Sequence, residues 1–159
     1  MKILTRSFLA AFISLALLMP AQARAADIID TALTDGRFRT FITAAQTVGL
    51  VVVLKSNGPF TVLAPTDDAF RRLPTERVEA MLDPENKKET FSLLSRHIIK
   101  GEIDMSQGTQ EVETMEGERL TIEPGETPRV REAEIDGEVS ADNGSIRPLN
   151  RVLGEEDAD

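Results

Sequence analysis

The sequence predicts an α+β domain, and three features of the chain support this prediction. Residues 60–64 form an apolar run with the length of a buried strand. Segments with apolar residues at helical spacing lie on both sides of it. From Gly101 onward, short alternating segments are separated by the turn-forming pairs Glu116-Gly117, Pro124-Gly125, Asp136-Gly137 and Asn143-Gly144. We therefore expect helices and one central strand first, and hairpins in the second half.

The first 25 residues have the form of a signal peptide. Lys2 and Arg6 give a positive start, residues 8–19 are largely apolar, and the tripeptide 23–25 has the small-x-small pattern of a cleavage site. We expect cleavage after Ala25, with cleavage after Ala23 as the alternative. An apolar segment this short falls below the roughly 20 residues that a membrane-spanning helix needs. The sequence therefore predicts export without a retained transmembrane anchor, to the periplasm or the cell exterior.

The composition of the remaining chain limits its partners. Cleavage would leave 15 basic against 27 acidic side chains, a formal charge of −12. Nucleic acids are bound largely through basic side chains, so we expect no nucleic-acid partner. The chain has no cysteine and therefore no disulfide. The length fits a single domain at residues 26–153, most simply a monomer, and the acidic residues 154–159 predict a disordered tail.

Two helices are predicted before the central strand. Asp27 is placed to cap the first helix, and Gly49 stands where the second should end in a left-handed residue. Their apolar faces are formed by Ile28, Ile29, Ala32 and Leu33, and by Phe38, Phe41, Ile42, Ala45 and Val48. The apolar run 50–54 contains three valines, and by propensity it predicts a buried strand.

The central segment couples a strand directly to a helix. Pro65 lacks an N–H and ends the strand, and Thr66 can cap a helix that starts with Asp67 and Asp68. We expect Phe70 to pack back on Pro65. Two further helices are predicted, one with Val78, Met81 and Leu82 inward, and one that begins after Asp83-Pro84 and carries Phe91 and Leu94.

Residues 61–70, Thr-Val-Leu-Ala-Pro-Thr-Asp-Asp-Ala-Phe, resemble the first signature box of the fasciclin (FAS1) domain family. The resemblance implies a wedge of two β-sheets of mostly antiparallel strands, with several helices along one side, and a helical turn at 50–54. Residues 143–153 resemble the second box, although Arg147 stands where the family often has His, and Pro148 requires an edge strand or a bulge. The signature core consists of Phe60, Thr61, Val62, Ala64, Pro65, Thr66, Asp67 and Phe70.

The only histidine defines the candidate interaction region, Arg96, His97 and Ile98. This segment resembles the Tyr-His region that is implicated in integrin binding in animal members of the family, with Arg96 in place of the tyrosine. Apolar neighbours favour a buried, hydrogen-bonded imidazole as the structural interpretation of His97.

The sequence contains no pattern typical of a catalytic, metal or cofactor site. One His, no Cys and no EF-hand spacing leave a metal with too few ligands, so no cofactor is expected. Ser92 and Ser95 lie near His97, but no Gly-x-Ser-x-Gly elbow is present. The resemblance implies a non-enzymatic module for adhesion or for binding a protein or glycan of the envelope or matrix. A carrier of a small apolar ligand and a hydrolase that uses His97 are the alternatives.

Overall fold

The computed structural model describes residues 26–157, and the predicted signal peptide lies outside them. The helices of the described residues are α1 Ile28–Asp35, α2 Arg39–Val48, α3 Leu50–Leu54, α4 Asp67–Phe70, α5 Thr75–Leu82 and α6 Lys87–Ser95, with a 3-10 turn at Pro84–Asn86. The strands are β1 Phe60–Pro65, β2 Ile98–Lys100, β3 Gln110–Glu113, β4 Arg119–Glu123, β5 Arg129–Val130, β6 Ala133–Glu134, β7 Val139–Ala141 and β8 Gly144–Leu149. The α+β class is confirmed.

Two four-stranded sheets form the β half of the described chain. The first has the order β2-β1-β8-β7, and the second has the order β3-β4-β5-β6. Among the described strands, only β1 and β8 pair in parallel, with Phe60 opposite Gly144 and Pro65 opposite Leu149. The remaining strand pairs are antiparallel, as the resemblance implied.

Strand β1 lies at the centre of the fold, and every residue of it is buried. Because successive side chains of a strand point to opposite faces, β1 contributes to two cores. Phe60, Val62 and Ala64 pack in the core between the helices and the first sheet. Leu63 packs in a second core, which the two sheets form between them. The predicted strand buried on both faces is confirmed.

The helix boundaries follow the signals in the sequence. The Asp27 carboxylate accepts hydrogen bonds from the backbone N–H groups of Ile29 and Asp30, each at 2.9 Å. Gly49 ends α2 in the left-handed conformation, with φ of 82°. Asp83 caps the turn before α6 by accepting from the backbone N–H of Glu85 at 2.9 Å. On α6, Leu94 is buried, whereas Phe91 is 40% exposed.

The propensity-based prediction of a strand at 50–54 is wrong, because these residues form α3. Leu50 and Leu54 are fully buried and Val52 between them is 78% exposed. Burial at positions i and i+4 is the helical period, and a strand would have buried Leu50, Val52 and Leu54 on the same face. The helical turn that the family resemblance implied is the one observed.

Two expectations for the second half need correction. Asp136-Gly137 closes no hairpin, because β6 belongs to the second sheet and the next strand, β7, to the first. The strand that contains Pro148 is also not at an edge, since β8 lies between β1 and β7. Strand β7 pairs only with residues 144–146, so Pro148 lies beyond it and interrupts no pairing with β7. The carbonyl of Pro148 instead accepts a hydrogen bond from the backbone N–H of Asp136 at 2.9 Å.

Candidate functional site

The signature segment holds the central strand to its neighbours. Thr61 Oγ1 donates to the carbonyl of Gly101 at 2.7 Å, from within a fully buried position. Thr66 caps α4 by accepting from the backbone N–H of Ala69 at 3.3 Å. The backbone N–H of Thr66 donates to Leu149 of β8 at 3.1 Å. The Thr61 hydroxyl therefore joins β1 to the residue after β2, and the Thr66 hydroxyl stabilises the junction between β1 and α4.

Asp67 stabilises a helix other than its own. The N-cap residue of α2, Phe38, has no capping side chain, and the Asp67 carboxylate accepts from the backbone N–H of Thr40 at 2.8 Å instead. The backbone N–H of Asp67 donates to the carbonyl of Arg37, also at 2.8 Å. A carboxylate at a helix N-terminus satisfies an unpaired donor and interacts favourably with the helix dipole. Asp67 thus joins α2 to the β1–α4 unit.

Asn143 is a second connecting residue, for which the sequence predicts only a turn. Its side-chain carbonyl accepts from the backbone N–H of Ile28, and its amide donates to the carbonyls of Leu54 and Ser56 at 2.7 and 2.9 Å. The following Gly144 leaves no space for a side chain, because an added Cβ would lie 1.9 Å from the carbonyl oxygen of Phe60. The Asn-Gly pair was the available signal, but it does not reveal these distant partners.

His97 lies between the helical half and the closing segment of the chain, and its side chain is fully buried. Nδ1 donates to the carbonyl of Leu93 at 2.9 Å, and Nε2 accepts from the backbone N–H of Leu153 at 3.0 Å. The ring meets Phe41 edge to face, with 6.5 Å between ring centroids. The carbonyl of His97 accepts from the backbone N–H of Leu63 at 2.7 Å. The predicted buried and hydrogen-bonded imidazole is confirmed.

The surroundings of His97 favour the neutral ring. Burial lowers its pKa from the ordinary 6.5 to about 4, because a charged imidazolium loses its solvation there. Both ring nitrogens have backbone partners, so neither is free to accept a proton from a substrate. Ser92 donates to Glu116 at 2.6 Å instead of to the histidine. This geometry gives no support to His97 as a general base.

Of the three residues in the candidate interaction region, only Arg96 reaches solvent. Ile98 is as fully buried as His97, whereas the side chain of Arg96 is 39% exposed. Arg96 Nε lies 3.8 Å from a carboxylate oxygen of Glu118, which also forms an ion pair with Arg131. Arg96 is therefore the accessible residue of this region, and His97 and Ile98 belong to the core.

Arg96 borders a surface groove that we call the C-terminal groove. It is lined by residues 131–133 and 151–156 and has a volume of about 420 Å³. A Cβ added to Gly154 in its wall would lie 3.2 Å from Arg96 Nη1. Leu153, which also lines the groove, donates its backbone N–H to His97. The buried imidazole therefore holds part of the groove in place.

Glu155, which belongs to the predicted acidic tail, contacts the helical half of the chain. Glu155 accepts two hydrogen bonds from the guanidinium of Arg77 on α5, both at 2.7 Å, and only 12% of its side chain is exposed. Arg77 also pairs with Glu89 on α6 at 2.8 Å. A bidentate arginine–carboxylate pair of this kind fixes both partners. Glu155 therefore belongs to the ordered domain. Its partner Arg77 lies 78 residues earlier in the chain, so the sequence around Glu155 does not predict this pair.

Within residues 26–157, no helix is long and apolar enough to cross a membrane. The same residues contain no group of three or more His, Cys, Asp or Glu side chains that could hold a metal ion.

Comparison with known proteins identifies the family. The model of the fasciclin domain matches residues 36–155, which include the signature segment, His97 and the closing strand. The chain belongs to the fasciclin domain family. It is similar to Protein sll1483 of Synechocystis sp., with 36% identity over 129 residues, which are 79% of this chain and 72% of that protein.

Two further similarities place the fasciclin domain in larger proteins. The chain is 29% identical over 131 residues to transforming growth factor-beta-induced protein ig-h3 of Sus scrofa, covering 79% of this chain and 19% of that protein. In structure it resembles a FAS1 domain pair from the insect cell adhesion molecule Fasciclin I, with a TM-score of 0.60 and 21% identity. The match covers 77% of this chain and 46% of that chain. The structural likeness establishes the fasciclin fold, and this chain spans about half of that domain pair.

Proposed function

We propose that this fasciclin-domain protein is an exported, non-enzymatic binding module that contacts a protein or glycan of the cell envelope or extracellular matrix. Family membership supports the general class, since the structural relative is a cell adhesion molecule. The observation that carries the proposal is the rigid support beneath Arg96. A partly exposed arginine on an ordered backbone beside a groove is typical of contact sites, because arginine forms directed hydrogen bonds and is enriched among the residues that dominate binding.

Hydrogen bonds from the core and from α5 hold the backbone of the C-terminal groove beside Arg96. His97 bonds to Leu153 and so fixes the groove wall, and Arg77 fixes Glu155 two residues later. A surface whose backbone is already ordered loses less entropy when a partner binds. We therefore assign the contact surface to Arg96 and the C-terminal groove.

The two alternatives have less support. A carrier of an apolar ligand needs a cleft between the helices and the first sheet, where Phe41, Leu50, Leu94 and Ile146 pack into one continuous buried cluster instead. A hydrolase that uses His97 needs a ring nitrogen open to substrate, and both nitrogens have backbone partners. A binding module needs neither an apolar cleft nor an accessible ring nitrogen of His97.

Retention of an envelope or matrix component tests the proposal. The mature chain, residues 26–159, is immobilised and exposed to envelope extract over a range of salt concentrations, and the retained protein and glycan are quantified. We expect retention that Arg96→Glu reduces at least tenfold, because the new carboxylate reverses the charge of the contact and repels Glu118.

Arg72→Glu is the matched control, since it makes the same change of charge at an exposed arginine that lines a different groove. It should leave retention within twofold of the unchanged protein. Equal losses for the two variants would indicate a non-specific charge effect, and no retention at any ionic strength would refute the proposal.

Export is proposed separately from contact. Mass spectrometry of the protein recovered from its producing cells should give a chain that starts at Ala26, or at Arg24 for the alternative cleavage. An unprocessed chain that begins at Met1 would contradict export through a cleaved signal peptide.

A further inference from the structure

The described residues 151–157, which we call the strap, contain no helix or strand. Val152 packs in the core between the helices and the first sheet, and Leu153 packs in the core between the two sheets. Residues 151–156 form one wall of the C-terminal groove. The position of the strap therefore decides whether this groove exists.

The strap is held to the domain by His97 and Arg77. The backbone N–H of Leu153 donates to His97 Nε2 at 3.0 Å, and Glu155 accepts two hydrogen bonds from Arg77, both at 2.7 Å. The ion pair of residues 151 and 157, at 3.2 Å, lies within the strap and fastens it to nothing else. A segment with so few attachments opens locally at a lower cost than unfolding of the whole domain.

The protonation state of His97 determines whether its bond to the strap exists. Nδ1 is bonded to the carbonyl of Leu93 and carries the proton of the neutral ring, so Nε2 is the site of a second proton. The N–H of Leu153 points at this atom. A second proton would place two donors against each other and bury a charge in a fully buried position. Protonation of His97 and the closed strap therefore exclude each other.

The charged groups around the imidazole do not remove this conflict. Burial lowers the pKa of His97 most strongly, the charge of Arg96 lowers it further, and Glu155 raises it. Helix α2 contributes the uncharged ring of Phe41, and β1 contains no charged residue. In the open form Nε2 reaches solvent while Nδ1 keeps its bond to Leu93. The charged ring is therefore compatible with the open form alone.

We propose that the strap is an acid-sensitive switch of the contact surface. A proton from solvent binds His97 Nε2, the bond to Leu153 breaks, and the wall of the C-terminal groove beside Arg96 leaves its place. The inference rests on the proposed function and deepens it, because it gives the regulation of the same surface.

The pH range follows from the two states of the ring. The pKa of His97 is about 4 with the strap closed, whereas a solvated histidine titrates near 6.5. The open form therefore binds a proton that the closed form does not bind between these values, and the closed form loses its advantage as the pH falls from 6.5 to 4. The equilibrium constant for opening should rise about 100-fold between pH 7 and pH 4.

Native-state hydrogen exchange of the ¹⁵N-labelled mature chain tests whether the strap opens by itself. The protection factor of the Leu153 amide is compared with that of Val62 in the central strand, with and without urea below the unfolding transition. Local opening exposes little surface, so urea should lower the protection of Val62 and leave that of Leu153 unchanged. Equal protection and equal urea dependence of the two amides would overturn the inference, because the strap would then leave only in global unfolding.

The pH dependence of exchange identifies the group that controls the opening. The protection factor of Leu153, corrected for the intrinsic exchange rate at each pH, should fall about 100-fold between pH 7 and pH 4 in the unchanged protein. His97→Gln keeps an acceptor for the Leu153 N–H without titrating, so its protection should fall far less. A fall of the same size in both proteins would refute His97 as the switch.

Glu155→Gln tests the second attachment of the strap and does not depend on the folding of the His97 variant. It removes the charge that Arg77 binds, so the protection of Leu153 should fall several-fold at pH 7 with its pH dependence retained. Glu156→Gln is the matched control, the same change at the exposed neighbouring residue of the strap. Equal effects of the two variants would contradict the role of Arg77 in holding the strap.

Retention of envelope material connects the strap to contact. Lowering the pH from 7 to 4 should reduce retention by the unchanged protein at least twofold more than retention by His97→Gln, a comparison that removes the effect of acid on the partner. Equal reductions would end the inference and leave the proposed function standing. Local opening of the strap without retention at either pH would refute the proposed contact and leave the acid-sensitive strap.

Discussion

Protonation of His97 should destabilise the protein between pH 6.5 and pH 4. The folded imidazole has its pKa lowered to about 4 by burial, whereas an unfolded histidine titrates near 6.5. In this interval the unfolded state binds a proton that the folded state does not bind, so stability falls as the pH falls. Each unit of difference in pKa corresponds to about 1.4 kcal/mol. The free energy of unfolding should therefore fall by about 3 kcal/mol between pH 7 and pH 4. Below pH 4 this group adds little further loss.

The comparison with His97→Gln isolates this contribution from the many carboxylates. Glutamine does not titrate, and its amide has both a donor for the Leu93 carbonyl and an acceptor for the Leu153 N–H. Urea unfolding at several pH values, followed by far-UV circular dichroism because the chain lacks Trp and Tyr, gives the free energies. The unchanged protein should lose about 3 kcal/mol more than the variant. Equal losses would show that the folded imidazole already accepts a proton, which would refute the buried neutral ring.

Three further predictions concern residues that connect distant elements, and urea unfolding at pH 7 measures each of them. Asp67→Ala removes the acceptor for the Thr40 N–H and should cost about 1 kcal/mol, whereas no loss would mean that water replaces the cap equally well. Asn143→Ala leaves three backbone groups without their partner and should cost about 2 kcal/mol or more, and a cost below about 0.5 kcal/mol would contradict its connecting role. Glu155→Gln breaks the bidentate pair with Arg77 and should cost about 1 kcal/mol at low salt and less at high salt, and a cost that salt does not change would argue against an ionic contribution.

The sequence was most informative where structure depends on neighbouring residues. Thr66 and Asp27 were predicted as caps, and Gly49 as a helix end, because capping acts over three or four positions. The run 60–64 was long enough and apolar enough to predict a buried strand. These features are confirmed because each depends on a few adjacent side chains.

The predictions that are wrong concern segments whose structure depends on residues distant in the chain. The apolar run 50–54 satisfies strand propensity, but packing of α3 against α1 and α2 makes it helical. The Asp67 carboxylate caps α2 through Thr40, 27 residues away in the chain, and Arg147 donates to the carbonyl of Ile103, 44 residues away. Asp136-Gly137 predicts a hairpin that does not form, because a turn signal does not show that the next strand joins another sheet. Local signals define elements, and tertiary contacts define what their polar residues do.

Photo-crosslinking tests most directly whether the protein acts by contact at Arg96 and the C-terminal groove. A benzophenone amino acid is placed at Glu132, an exposed residue of the groove, and at Val52 on α3 as the control. On irradiation with intact cells or envelope, we predict a discrete adduct from position 132 that an excess of unmodified protein suppresses, and none from position 52. Adducts of equal yield from both positions, or none from position 132, would contradict the account.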